Sequence, residues 1–211
     1  MQYFLEHLAT CVSAISGVLS ARGKRVDLFG VVVLALVTAL GGGTLRDTIL
    51  DLRPVFWVDD SSYVVTAAGC ALITFFIARF WTGLSPVADS GLQLADAASL
   101  ALFTLVGTEK TMAAGVPPVV GVAMGVITGT AGGMIRDTLL GEIPMVFRRQ
   151  IYLYATASLA GATLYVGLRG HLESNLLRLL TICMVFGLRL AAIWWKIYLP
   201  AFEPKGNIHQ G

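Results

Sequence analysis

Read for its apolar and polar positions, the chain divides into long apolar runs separated by short polar stretches. A hydrocarbon layer about 30 Å thick is crossed by about 20 apolar residues of helix. Seven runs meet that length, at residues 4–21, 28–48, 61–82, 91–108, 116–140, 150–168 and 175–198. The pattern predicts an all-α membrane protein with seven transmembrane helices and leaves almost nothing over for a soluble head.

Composition sharpens this. Of 211 residues 56% are hydrophobic and 13% charged, with a mean hydropathy of +0.76, against about 25% charged in soluble domains. The net charge of +2 and the absence of a basic run argue against a nucleic-acid partner. Charge placement carries more. Arg22, Lys24, Arg25, Arg79, Arg148, Arg149, Lys196 and Lys205 follow odd-numbered spans; only Arg53, Lys110, Arg169 and Arg178 lie on the other side. Positive charge collects on the cytoplasmic side, so an inner-membrane protein with its N-terminus outside and its C-terminus inside is expected. Trp57, Trp81, Trp194, Trp195 and Tyr198 fall near predicted helix ends, where interfacial aromatics sit. The N-terminal run carries Glu6 and His7 ahead of its apolar stretch, which reads as a retained first helix rather than a leader.

The chain repeats itself. A shift of ninety positions lays GGGTLRDTILDLRP (41–54) on AGGMIRDTLLGEIP (131–144) and also pairs Glu6 with Asp96 and Gly17 with Gly107. Each copy holds three spans, an odd number, so the second copy enters the membrane inverted, and the seventh helix is an addition to a 3+3 core. The implied units are residues 1–90, 91–172, a seventh helix at 173–199 and a cytoplasmic tail at 200–211. Helical rise places the glycines after Leu28 about 20 Å into the layer. Gly41, Gly42, Gly43, Thr44, Gly132 and Gly133 therefore either pack two helices closely or break them beside a permeation path. Arg46 and Asp47, and Arg136 and Asp137, are sequence neighbours that point to different helix faces, which suggests crossed pairs between the copies, Arg46 with Asp137 and Arg136 with Asp47; snorkelling to the interface is the other reading.

Glu6 and Asp96 are expected to face a polar interior or the headgroup layer, with cation attraction the lesser of their readings. Lys110 reads as a loop charge, solvated or near a pore mouth. Arg189 is the most isolated charge and reads as a structural or snorkelling cation. Most span hydroxyls satisfy their own helix carbonyls; Thr48 and Thr138 stand out because the repeat matches them. Cys11, Cys70 and Cys183 lack ligand spacing and read as small core residues. Neither the dispersed histidines nor the glycine runs form a metal or phosphate signature, so no enzyme activity, metal or cofactor is expected.

The doubled GGGTLRD and GGMIRDTLLG elements, each with a following proline, the segment KRVDLFGVVVLALVTALGGGT and LFTLVGTEKT resemble the prokaryotic trimeric intracellular cation (TRIC) channel family, also nicknamed a glycine-transporter domain. The resemblance spans about residues 4–198. It implies a homotrimer in membrane lipid whose protomers each hold a potassium-permeable pore between the repeats, with the glycines as kink residues and Arg46, Asp47, Arg136 and Asp137 lining or bracing the pore. Ala131 replaces one glycine in the second copy, and the Lys-Glu-Val element of the animal branch is absent. A secondary transporter of a small solute such as glycine remains the other reading of the same repeats.

Overall fold

A computed structural model describes residues 1–80, 85–147 and 153–195, with the side chains of 85–89 left undescribed. The expectations for Trp81, Arg148, Arg149, Lys196, Tyr198, Lys205 and the tail lie outside these residues. Helices follow the apolar runs: α1 (Gln2–Ser20), α2 (Leu28–Ile49), a short α3 (Phe56–Asp59), α4 (Ser62–Phe80), α5 (Ser85–Ala113), α6 (Pro118–Leu139), α7 (Tyr154–Leu168) and α8 (Ser174–Trp195), with a 3-10 turn at Met145–Phe147. Among the described residues no strand is present; a single isolated bridge joins Arg169 and Leu172.

Local chemistry sets the ends of the two motif helices. The Asp27 carboxylate accepts the Gly30 N–H at 2.8 Å and opens α2, while Pro118 opens α6, where a missing N–H costs nothing. Both helices close on the same turn. The Leu52 N–H reaches the Asp47 carbonyl at 2.8 Å and the Glu142 N–H reaches that of Asp137 at 2.9 Å, with Asp51 and Gly141 at φ 52° and 70°. This is a left-handed cap, which glycine enters freely and aspartate tolerates.

Packing then orders the bundle. α5 lies at its centre against α1, α6, α7 and α8, and α2 crosses α6. One apolar cluster joins α1, α2 and α4 around Leu34, Ala35 and Ala67; a second joins α1, α5, α7 and α8 around Leu105, Tyr165 and Leu177. α4 and α8 turn Ile73, Phe76, Leu179 and Trp194 outward, a surface suited to lipid.

Two expectations are corrected. α2 and α6 run through their glycines as unbroken helices, because glycine lowers helix stability without removing an N–H donor, and packing makes up the loss. Among the described residues six helices are long and apolar enough to cross a membrane, and α7 takes up 15 residues, Tyr154–Leu168, of the run at 150–168. α5 continues past residue 108 to Ala113, which makes Lys110 helical rather than a loop residue.

Candidate functional site

The repeat reappears as reciprocal packing. A Cβ on Gly42 would collide with the Thr128 carbonyl, and one on Gly132 with the Thr38 carbonyl. Thr38 and Thr128 are themselves ninety positions apart, so α2 and α6 meet through exchanged contacts at matching positions of the repeat. Gly17 seats against Ala35 and Thr38, and its counterpart Gly107 seats against Thr128. At the crossing a largely enclosed cavity of about 10 Å³ is lined by Ser13, Thr38, Asp96, Ser99, Thr128 and Tyr154 among others, about the space of one water. Ser13 Oγ donates to the Thr38 carbonyl at 3.0 Å; the Thr38 and Thr128 hydroxyls bond back to Leu34 and Met124.

A charged cluster flanks the crossing on each side. In the first, Arg46 Nε and NH2 donate to Asp47 Oδ1 at 2.8 and 2.6 Å, and Asp47 Oδ2 accepts the Phe56 N–H at 3.0 Å. Glu6 Oε2 accepts the Tyr63 hydroxyl at 2.5 Å and the Lys110 ammonium at 2.8 Å. The Phe56 ring covers Gly43, with Arg46 5.8 Å and Lys110 5.6 Å from its centroid. Nearby, Trp57 Nε1 donates to Thr44 Oγ1 at 2.9 Å. Outside the helices, the Ser62 hydroxyl and backbone N–H hold Asp60 below the ordinary carboxylate range, and His7 bonds the same Ser62 hydroxyl at 3.0 Å.

In the second cluster Arg136 Nε donates to Asp137 Oδ1 at 2.8 Å, while NH1 reaches Ser16 Oγ at 2.6 Å and Asp96 Oδ1 at 3.2 Å. Asp137 Oδ2 accepts the Met145 N–H at 2.9 Å, as Asp47 accepts that of Phe56. Arg189 lies 4.8 Å from the Tyr154 ring centroid. Asp96 is 3% exposed, and its Oδ2 has no hydrogen-bond partner among the described residues, on the wall of the cavity.

The crossed pairing of Arg46 with Asp137 and Arg136 with Asp47 is therefore corrected: each arginine folds back on its own neighbour. The long guanidinium stem spans the angle between adjacent helix positions, and the carboxylate's other oxygen is fixed by the chain after the cap. Neither arginine snorkels; Arg46 is 2% and Arg136 0% exposed. Lys110 is a half-buried ion-pair partner rather than a solvated charge, and Arg189 is buried on an aromatic face rather than snorkelling. Gly41 packs on the Ile135 side chain. Gly133 faces the Tyr154 hydroxyl, Arg136 and Asp96. Thr48 and Thr138 are exposed and stay outside the crossing; the Thr138 hydroxyl bonds back to Met134.

Sequence reasoning missed Ser16, Phe56, Tyr63 and Tyr154, as well as the Glu109–Arg178 ion pair between α5 and α8. Tyr63 and Tyr154 are ninety-one positions apart, one residue out of the register that exposed the rest, and a shift allowing one insertion would have paired them.

Comparison with known proteins agrees with this duplication. The sequence model of the Glycine transporter family matches the chain twice, at residues 3–79 and 93–170. The UPF0126 inner membrane protein YadS of Escherichia coli K12 is 43% identical over 209 residues, covering 97% of this chain and 98% of that protein. A UPF0126 membrane protein of Vibrio cholerae is 39% identical over 95% of this chain and 82% of its own. Among solved structures, a TRIC trimeric intracellular cation channel orthologue from Rhodobacter sphaeroides superposes with a TM-score of 0.85 at 36% identity, covering 93% of this chain and 98% of that one. A TRIC channel structure described as the basis for conductance gives 0.84 at 29% identity, over 97% and 98%. These relatives are membrane proteins and cation channels rather than enzymes, and the chain is likewise not an enzyme. With its duplicated core and its full-length likeness to both sets of relatives, this multi-pass membrane protein belongs to the prokaryotic TRIC channel family.

Proposed function

We propose that the chain is a cation channel, permeable to potassium, whose path runs within a single protomer through the α2–α6 crossing. The observation that carries this reading is the Asp96 carboxylate oxygen, buried and without a hydrogen-bond partner among the described residues, on a polar cavity framed by the glycines of both copies. A carboxylate oxygen beside hydroxyls offers a monovalent cation ligands that replace its water. The Arg46–Asp47 and Arg136–Asp137 pairs brace the two ends, each arginine neutralised so that it does not repel a cation outright. In this reading the cavity, at about 10 Å³, is a closed constriction. Conduction requires α2 and α6 to part, and Gly42 and Gly132 leave no side chain in the way.

The same reading takes α7 as a seventh span. It treats residues 1–90 and 91–172 as inverted halves, places the N-terminus outside, and assembles three protomers in lipid, as the Rhodobacter relative described as trimeric does. Potassium is cargo here, and no cofactor is involved.

The family name Glycine transporter favours one second reading, a carrier that rocks its halves around a small solute. Potassium efflux from liposomes holding the purified full chain separates the two. Efflux driven by the potassium gradient alone, lowered about tenfold in Asp96→Asn by removal of about 1.4 kcal/mol of cation stabilisation, supports the channel. Absence of ion flux together with saturable glycine counterflow overturns it.

A further inference from the structure

A second concave site lies away from the crossing, where α1 ends at Ser20, α2 begins at Leu28 and α4 ends at Phe80. Three helix ends at one level mark a membrane boundary. A groove of about 300 Å³ opens between them, with Val31, Phe75 and Ala78 on its floor and Arg22, Lys24 and Arg79 at its rim. Asp27 caps α2 through the Gly30 N–H, and Glu142 pairs with Lys24 at the rim. Below the groove α4 exposes Ile73, Phe76 and Ile77, an apolar track leading from the cationic rim toward the middle of the layer.

The cluster also departs from the repeat. Under the ninety-residue shift Arg22 and Lys24 become Met112 and Ala114. Arg79 becomes Arg169, whose guanidinium is spent on the Met112 carbonyl at 3.1 Å. The duplicated core thus has cations around this groove in one copy only, so the pore architecture does not account for them.

We propose that this groove binds an anionic glycerophospholipid, its phosphate on Arg22 and Arg79 and its acyl chain along the outer face of α4. Guanidinium groups match phosphate oxygens in paired geometry, and basic pockets between membrane helices suit anionic headgroups. A soluble phosphate compound would satisfy the rim and leave the apolar floor uncovered. The positive-inside bias puts the groove in the cytoplasmic leaflet.

Native mass spectrometry of the detergent-purified full chain, titrated with phosphatidylglycerol and separately with phosphatidylcholine, tests the site. Phosphatidylglycerol adducts should persist where phosphatidylcholine adducts do not. The Arg22→Gln/Arg79→Gln variant should bind phosphatidylglycerol about thirtyfold more weakly, from about fivefold per cation at the membrane surface. Arg53→Gln, in the α2–α3 connection, should bind as the parent does. If the double variant does not purify, Arg79→Glu, at an exposed residue, gives the same reading. Equal retention of both lipids, unchanged phosphatidylglycerol binding in the variants, or competition by soluble glycerol phosphate as strong as by the lipid would each overturn the proposal.

Discussion

At the residue scale the decisive fact is that Asp47 and Asp137 each hold two partners at once, the neighbouring guanidinium and a backbone N–H from the chain beyond the cap. Removing one side of such a buried pair strands a charge, at a cost of about 3–5 kcal/mol. Arg46→Gln should therefore lower stability to unfolding by that order. In a double-mutant cycle with Asp47→Asn the two effects should couple by at least about 1 kcal/mol, while Arg46→Gln with Asp137→Asn should be additive within about 0.5 kcal/mol. Reversed couplings, measured by unfolding in detergent, would restore the crossed pairing. Tyr63→Phe should cost about 1.5–3 kcal/mol in the same assay, because it removes the 2.5 Å bond to Glu6. The repeated Arg-Asp pair and the Glu6–Asp96 match were legible in the sequence. Their partners were not, since a guanidinium's choice among nearby carboxylates depends on how the following loop folds over the helix end. Ser16 shows this: an ordinary span serine in sequence, it receives Arg136 only because α1 packs beside α6.

At the element scale the glycines separate into those a neighbour's backbone presses on and those with room. Gly42→Ala and Gly132→Ala each force a methyl against a carbonyl that cannot move without shifting its helix, and should destabilise by about 1–3 kcal/mol. Gly187 in α8 has nothing within 4 Å, so Gly187→Ala should stabilise by about 0.5–1 kcal/mol through helix propensity alone. Thermal unfolding of the three variants distinguishes close packing from a demand for flexibility, because a hinge would tolerate alanine at position 42. The helix that Glu173 opens titrates in a defined sense. Its carboxylate accepts the Asn175 and Leu176 N–H groups at 3.0 and 2.9 Å, and those bonds hold it below its ordinary 4.5. A depressed carboxylate contributes above its unfolded value and loses that contribution as pH falls through the folded one. Amide exchange at the start of α8 should therefore quicken below about pH 4.5 and lose that dependence in Glu173→Gln. Periodicity and length located the long helices. They missed α3, too short for any pattern, and the extension of α5 over Glu109 and Lys110, whose polarity reads as a loop until Arg178 and Glu6 are seen to neutralise it.

At the scale of the whole molecule, contacts between distant connections sort the chain ends onto two faces. Lys24 meets Glu142, which places the α1–α2 and post-α6 connections together. Tyr3 meets Asp60 and Arg169 meets the Met112 carbonyl, which gathers the N-terminus, the α2–α4 connection and the ends of α5 and α7 on the opposite side. This sorting uses no charge rule, yet it divides the described loops as the positive-inside count does, with Arg22, Lys24 and Arg25 on one face and Arg53 and Arg169 on the other. Packing thus agrees with the charge count on which loops share a face, and the charge rule alone proposes which of the two faces is cytoplasmic. In a background with Cys11, Cys70 and Cys183 replaced by alanine, a cysteine at the exposed Asp59 should react with a membrane-impermeant maleimide in intact cells. A cysteine at Gly23, beside the basic groove, should react only after permeabilisation, and its φ of 75° makes Arg25→Cys the safer second probe of that face. Labelling of both positions from outside would mean that the chain inserts in two orientations, as a weak charge bias permits. Reversal of the two would move the proposed lipid groove to the outer leaflet and exchange which of the two charged clusters, Glu6 with Lys110 or Asp96 with Arg136, faces the cytoplasm.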